Sequence, residues 1–263
     1  MKQLPVFEFN LAESFPRLAA APIVEAVIHW VARPTKPFQR EDLQKKLAER
    51  LPDYPDPQPQ QQLQLETRFG PDGSTTQTRH ESWQGFRLTS LDKRYVVQFT
   101  REGMVFSRLA PYESWDAFSA EGKRLWRIFI ELAEPSEVER LGIRFINRVL
   151  PVERTKVDRY LAKPPKCLEP LGFPVNGFLY QSIHDVPGHP LQIHVVQTTQ
   201  PPLTFQSDGF GLILDIGVVT TQAFQTADET LEQYLAKMRW LKNKAFFSLL
   251  SKSLIRSFEK GNP

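Results

Sequence analysis

Gly85-Phe86-Arg87-Leu88-Thr89-Ser90, Tyr95-Val96-Val97-Gln98-Phe99-Thr100 and Met104-Val105-Phe106-Ser107-Arg108-Leu109 open the stretch, running on to Val149, whose reading decides the fold. The first run alternates apolar and polar residues, and the second and third are rich in β-branched and aromatic side chains, as half-buried strands require. Leu91-Asp92-Lys93-Arg94 supplies a polar turn between the first two runs. Arg101-Glu102-Gly103 supplies the next, with Gly103 free to adopt a positive φ. Pro111 ends the third strand and Ser114 stands where a helix cap belongs. Trp115, Phe118, Leu125, Trp126, Phe129, Ile130 and Ala133 then recur at helical spacing as far as Pro135. Three antiparallel strands therefore lead into an amphipathic helix whose apolar stripe must cover a sheet. After it, Glu139 to Leu150 alternates again, with Leu141, Ile143, Phe145 and Val149 on one face and Arg140, Arg144 and Arg148 on the other.

Upstream, residues 1–20 read as an extended lead-in and Pro22 to Trp30 as a buried strand. Phe38, Leu43, Leu47 and Leu51 then mark a short helix that ends in the proline-rich segment 52–59. Residues 63–84 read as a hairpin around Gly70-Pro71-Asp72-Gly73. Downstream, residues 151–174, with Pro164-Pro165 and Pro170, form a soft boundary. Strands are expected at 177–184, 191–198 and 211–219. Thr226-Ala227-Asp228-Glu229 has the spacing of a capping box. Leu231, Leu235, Met238, Leu241, Ala245, Leu249 and Phe258 then give a stripe for a long closing helix, or for two helices broken near Lys242-Asn243-Lys244. The expected fold is α+β: two strand-rich halves, 1–150 and 151–263, in one compact body, with an antiparallel sheet, amphipathic helices on one face and a long C-terminal helix.

Composition narrows the function classes. The 33 basic and 30 acidic side chains leave a formal charge of +3, too small to call for nucleic acid. Cys167 is the only cysteine, so neither an intrachain disulfide nor a cysteine-based zinc site is possible. No run of apolar residues is long enough to span a membrane, and residues 1–9 lack a secretory apolar core, so a soluble cytoplasmic protein is expected.

The combination of Pro22-Ile23-Val24-Glu25-Ala26-Val27, Phe106-Ser107-Arg108-Leu109, Pro111-Tyr112 with Trp115, Arg140 to Arg148, Leu214-Asp215-Ile216 and Asn243 with Phe246-Phe247 resembles a sporadically distributed prokaryotic family of uncharacterised proteins of about this length. The resemblance spans nearly the whole chain. It implies no activity, cofactor or catalytic residue. Gly217 stands where that family's pattern has an acidic residue.

Three constellations invite chemistry. His184 and His189, flanking Val186-Pro187-Gly188, are the candidate metal ligands, with His194 nearby; hydrogen bonding within the turn is the competing reading. Arg140, Arg144 and Arg148 make a basic stripe able to meet an acidic partner or a phosphate, and Asn147 joins them as a candidate, although strand alternation puts it on the opposite face. Glu25 and Asp215 interrupt apolar strands; they read as a buried polar network pairing with Arg144 rather than as an acid–base pair. Neither a nucleophile elbow nor a phosphate-cradling glycine loop occurs. No catalytic residue and no cofactor are therefore assigned. The leading expectation is a non-enzymatic binding or adaptor protein with a protein partner, of the sort found in defence or toxin–antitoxin systems. A helix-grip binder of a small molecule and a metal-dependent hydrolase or nuclease are the alternatives, and self-association stays open.

Overall fold

The two halves of the chain contribute to one continuous sheet. A computed structural model describes residues 5–69, 75–152, 154–164, 177–200 and 210–261. Its nine strands are β1 (Ile23–Val31), β2 (Gln58–Phe69), β3 (Thr75–Thr89), β4 (Tyr95–Thr100), β5 (Gly103–Leu109), β6 (Arg140–Val152), β7 (Leu179–Asp185), β8 (Leu191–Gln200) and β9 (Phe210–Thr220). They form a single antiparallel sheet in the order β2-β3-β4-β5-β1-β6-β9-β8-β7. Strand β1 joins the halves, pairing with β5 on one side and β6 on the other.

The four helices are α1 (Arg40–Arg50), α2 (Trp115–Ala133), α3 (Asp228–Leu249) and α4 (Lys252–Glu259). All four pack on one face of the sheet, because the apolar members of each strand have the same parity. Ala26, Ile28 and Trp30 of β1, Leu141, Ile143 and Phe145 of β6, and Leu212, Leu214 and Ile216 of β9 are buried beneath them. The N-terminal part of this layer is filled by aromatic rings. Tyr95 stacks on Phe106 and Phe106 on Phe118, with centroids 5.5 and 5.2 Å apart; Trp30 stacks on Trp126 and Trp126 on Phe129, both at 5.3 Å. The opposite face carries no helix among the described residues.

Local chemistry explains the boundaries. The Ser114 hydroxyl accepts the Ala117 N–H at 3.1 Å, capping α2, and Glu134 in the left-handed conformation ends it before Pro135. At Gly103 a Cβ would lie 2.0 Å from the Trp30 carbonyl oxygen, so only glycine lets β5 start that close to β1. Gly85 meets the same demand beside Phe99 and lies at the register shift between β2 and β3. With glycine there, β3 runs unbroken from Thr75 to Thr89 where the sequence suggested a hairpin arm and a separate strand. The Gly70–Gly73 turn of that hairpin lies outside the described residues, as does Cys167.

Two expectations about the closing helix are corrected. Thr226 does not cap it. Ala227 is the N-cap, no side chain bonds the first turn, and the Val138–Phe224 bridge holds the preceding chain extended. Nor does the helix break at Lys242-Asn243-Lys244. It continues to Leu249 and breaks at Leu250, which bridges to Leu161, after which the Ser251 hydroxyl caps α4 by accepting the Leu254 N–H at 3.3 Å.

Candidate functional site

The candidate residues read from the sequence divide between the two faces of the sheet. Arg140, Arg144 and Arg148 lie on the helix-free face, as their parity in β6 requires. Arg144 reaches diagonally to β9, where its Nε and Nη2 donate to the Asp215 carboxylate at 3.0 and 2.6 Å. That hydrogen bond, and the charge of Glu25 nearby on β1, hold the Arg144 guanidinium above its ordinary pKa. Arg144 thus pairs with Asp215 on the helix-free face, with Glu25 contributing its charge alone, where the sequence suggested a buried network. Arg108, by contrast, projects to the covered face and is 1% exposed.

The histidines do not converge. His184 is exposed on β7 and shares a 2.9 Å hydrogen bond with the Ser182 hydroxyl, whereas His189 Nε2 lies 2.8 Å from the Phe7 carbonyl oxygen, which accepts. His194 projects from the helix-free face of β8. No three of the histidines, carboxylates and cysteines among the described residues form a group able to hold a metal.

Asn147 is different. It projects from β6 into the helical layer, is buried, and donates its amide to the carbonyls of Phe145 and Leu214 at 3.2 and 2.9 Å. Asn147 also lines a cleft of about 1000 Å³. The walls are the start of α2, the middle of α3 and an extended strap formed by the N-terminal residues. The strap is fixed at each end by main-chain bonds, from Phe7 N–H to Pro187 O at 2.8 Å and from Ala20 N–H to Phe258 O at 3.0 Å. Between these points Phe7 and Phe9 pack on Trp240, and Phe15 stacks on Phe247 at 5.5 Å.

Every carboxylate lining the cleft already holds a cation. Glu13 pairs with Lys244 at 2.7 Å, Glu113 with Arg108 at 2.8 Å, Asp116 with Arg239 at 3.6 Å and Glu232 with Lys123 at 2.8 Å. Two lining cations are left over, Arg17 on the strap and Lys242 on α3, with no carboxylate partner among the described residues. The Lys242 ammonium instead sits 4.1 Å over the Phe145 ring. Burial, reinforced by the charge of Arg239 one turn earlier, pushes its pKa down to about 7. Tyr112 packs against the same Phe145 ring at 5.8 Å, and burial raises its phenol well above the ordinary value, so the hydroxyl stays protonated.

The sequence reading missed this cleft but contained one signal of it. Leu231, Leu235, Met238, Lys242, Ala245 and Leu249 follow a strict four-three alternation, which puts a lysine at an apolar stripe position of α3. No protein-family model and no curated protein matches the chain.

Proposed function

We propose that the protein binds a small anionic molecule with an apolar body in the cleft between the strap, α2 and α3. The observation that carries this reading is the charge inventory: among the described residues, the four lining carboxylates are each paired with a cation, while Arg17 and Lys242 bring positive charge without a carboxylate partner. Where water is partly excluded, as around Lys242, such charge favours an incoming carboxylate or phosphate more than it would in open water, and Arg17 stands exposed at the rim. Trp115, Phe15, Phe246 and Phe247 offer aromatic surface for the remainder of the ligand. Asn147 and Tyr112 add an acceptor and a donor. The family resemblance belongs to this proposal and adds no activity to it.

The test is calorimetric titration with 3-phenylpropanoate and its neutral amide. Binding of the acid with at least tenfold preference over the amide, lost in Trp115→Ala, is the expected result. Equal or absent binding of the two overturns the reading.

A second reading, a protein partner that adds a strand at the sheet edge, is favoured by β7. This terminal strand leaves Leu179, Tyr180 and Ile183 at 71, 47 and 53% exposure. Native mass spectrometry of the protein purified from its own host separates the two. A small-molecule adduct supports the cleft, whereas a stoichiometric subunit that Ile183→Lys releases supports the edge.

A further inference from the structure

An anion clamp alone would be better built from arginine, whose planar fork meets a carboxylate through two hydrogen bonds. Both Arg17 and Arg239 already line the cleft. Lys242 is placed where a charge is costly: on the apolar stripe of α3, over an aromatic ring, one turn from Arg239 and without a counter-ion. A desolvated lysine beside another cation, on a residue that lines a ligand-sized space, is the arrangement used by lysines that react with carbonyl groups. The second group that such a reaction needs, a protonated hydroxyl, stands against the same Phe145 ring as Tyr112.

We propose that Lys242 forms an imine with the carbonyl carbon of an oxo acid held in this cleft, a step that rests on the anion-binding reading above. Arg17, on the strap, holds the carboxylate. The lone pair of the amine attacks the carbonyl carbon, forming the C–N bond as the C=O π pair moves onto oxygen. The two protons of the nitrogen leave with that oxygen as water, one relayed through the Tyr112 hydroxyl, and a C=N bond remains. The depressed pKa of Lys242 supports the step, because about half of the amine is unprotonated, hence nucleophilic, at neutral pH.

Phenylpyruvate with sodium borohydride tests it, read by intact mass and peptide mapping, with calorimetric binding of phenylpyruvate and 3-phenylpropanoate measured in parallel. The expected result is wild-type binding of both acids with one reduced secondary-amine adduct at Lys242, and no adduct in Lys242→Arg, which keeps a cation but removes the amine. Lys242→Met, also untrapped, checks the assignment should the arginine disturb folding. Phenylpyruvate bound without an adduct, or an adduct that persists in both variants, overturns the imine and leaves the anion site standing. Failure of both acids to bind removes the anion site and the imine with it.

Discussion

Two cations on the covered side of the sheet sit over aromatic rings at nearly the same height, Arg108 4.4 Å from the Tyr95 centroid and Lys242 4.1 Å from that of Phe145. Arg108 has a carboxylate, Glu113, at 2.8 Å, and belongs to a region where stacked rings fill the space between β4, β5 and α2. Lys242 has none among the described residues, and it lines a cleft. The same sheet face thus contains one cation built into packing and one left unbalanced beside empty volume. The first is explained by stability, since a buried guanidinium is tolerable when paired. The second lowers stability, and the proposed anionic ligand would account for its placement.

The largest effect that separates these regions should come from the rings themselves. Trp126→Ala removes a fully buried indole stacked between Trp30 and Phe129 and should cost about 3–5 kcal/mol. Trp115→Ala, at the cleft wall, should cost less than about 2 kcal/mol, because that ring is only partly buried. Urea unfolding measures both, and equal costs would mean that the cleft is packed as tightly as the aromatic layer.

Removing the counter-ion comes next. Glu113→Gln leaves the Arg108 guanidinium buried without its carboxylate and should cost about 1–3 kcal/mol, less than for a fully buried pair because Glu113 is itself half exposed. A neutral outcome would show that Arg108 is held by Tyr95 alone and would erase the contrast with Lys242.

Lys242→Met should act with the opposite sign, raising stability by about 1–2 kcal/mol at pH 6 as an unpaired ammonium leaves an apolar stripe. The pH dependence follows from the depressed pKa. Between about 7 and the ordinary 10.5 the unfolded chain binds this proton and the folded chain does not. Wild-type stability therefore rises with pH across that window, and the charge penalty is full below it. The advantage of the methionine variant should be greatest below pH 7 and should shrink towards pH 10.5. The titratable and charged groups that share the cleft lining with Lys242 are Glu13 and Arg17 from the strap, Tyr112 and Glu113 before α2, Asp116 and Lys123 from α2, and Glu232 and Arg239 from α3, of which Arg239 acts on its pKa. A constant advantage at every pH would show that hydrophobic packing, not charge, accounts for the gain.

Particular residues show why the fold was more legible than the site. Ser114, Gly103 and Pro135 mark boundaries through their own backbone or side-chain chemistry, so strand and helix limits between Tyr95 and Ala133 follow from neighbours in sequence. Strand alternation likewise separated Arg144 from Asn147. The order of strands depends on contacts between distant segments, and the insertion of β1 between β5 and β6 had no local signature. The cleft is assembled from Arg17, Tyr112, Asn147 and Lys242, which no spacing rule connects. Lys242 was visible as a break in the stripe of α3, which left open a break in the helix there; instead the helix continues and carries a charge on its apolar side. The histidines misled for the complementary reason: proximity along a turn said nothing about His189 being occupied by Phe7 from the other end of the chain.

The smallest expected effect concerns the helix-free face, and it limits how far the comparison between paired and unpaired cations extends. Arg144 is 57% exposed at its side chain while Asp215 is only 12% exposed, so their bidentate pair is half in water. A double-mutant cycle with Arg144→Ala and Asp215→Ala should return a coupling of about 0.2–1 kcal/mol that falls as salt is raised. Pairing alone then contributes little where solvent already screens the charge, and the greater weight of Glu113 at Arg108 comes from burial. A coupling above about 2 kcal/mol, insensitive to salt, would mean that water is excluded from this face in solution. The basic stripe of Arg140, Arg144 and Arg148 would then be a covered surface, and the partner covering it would be a second way in which this sheet is used.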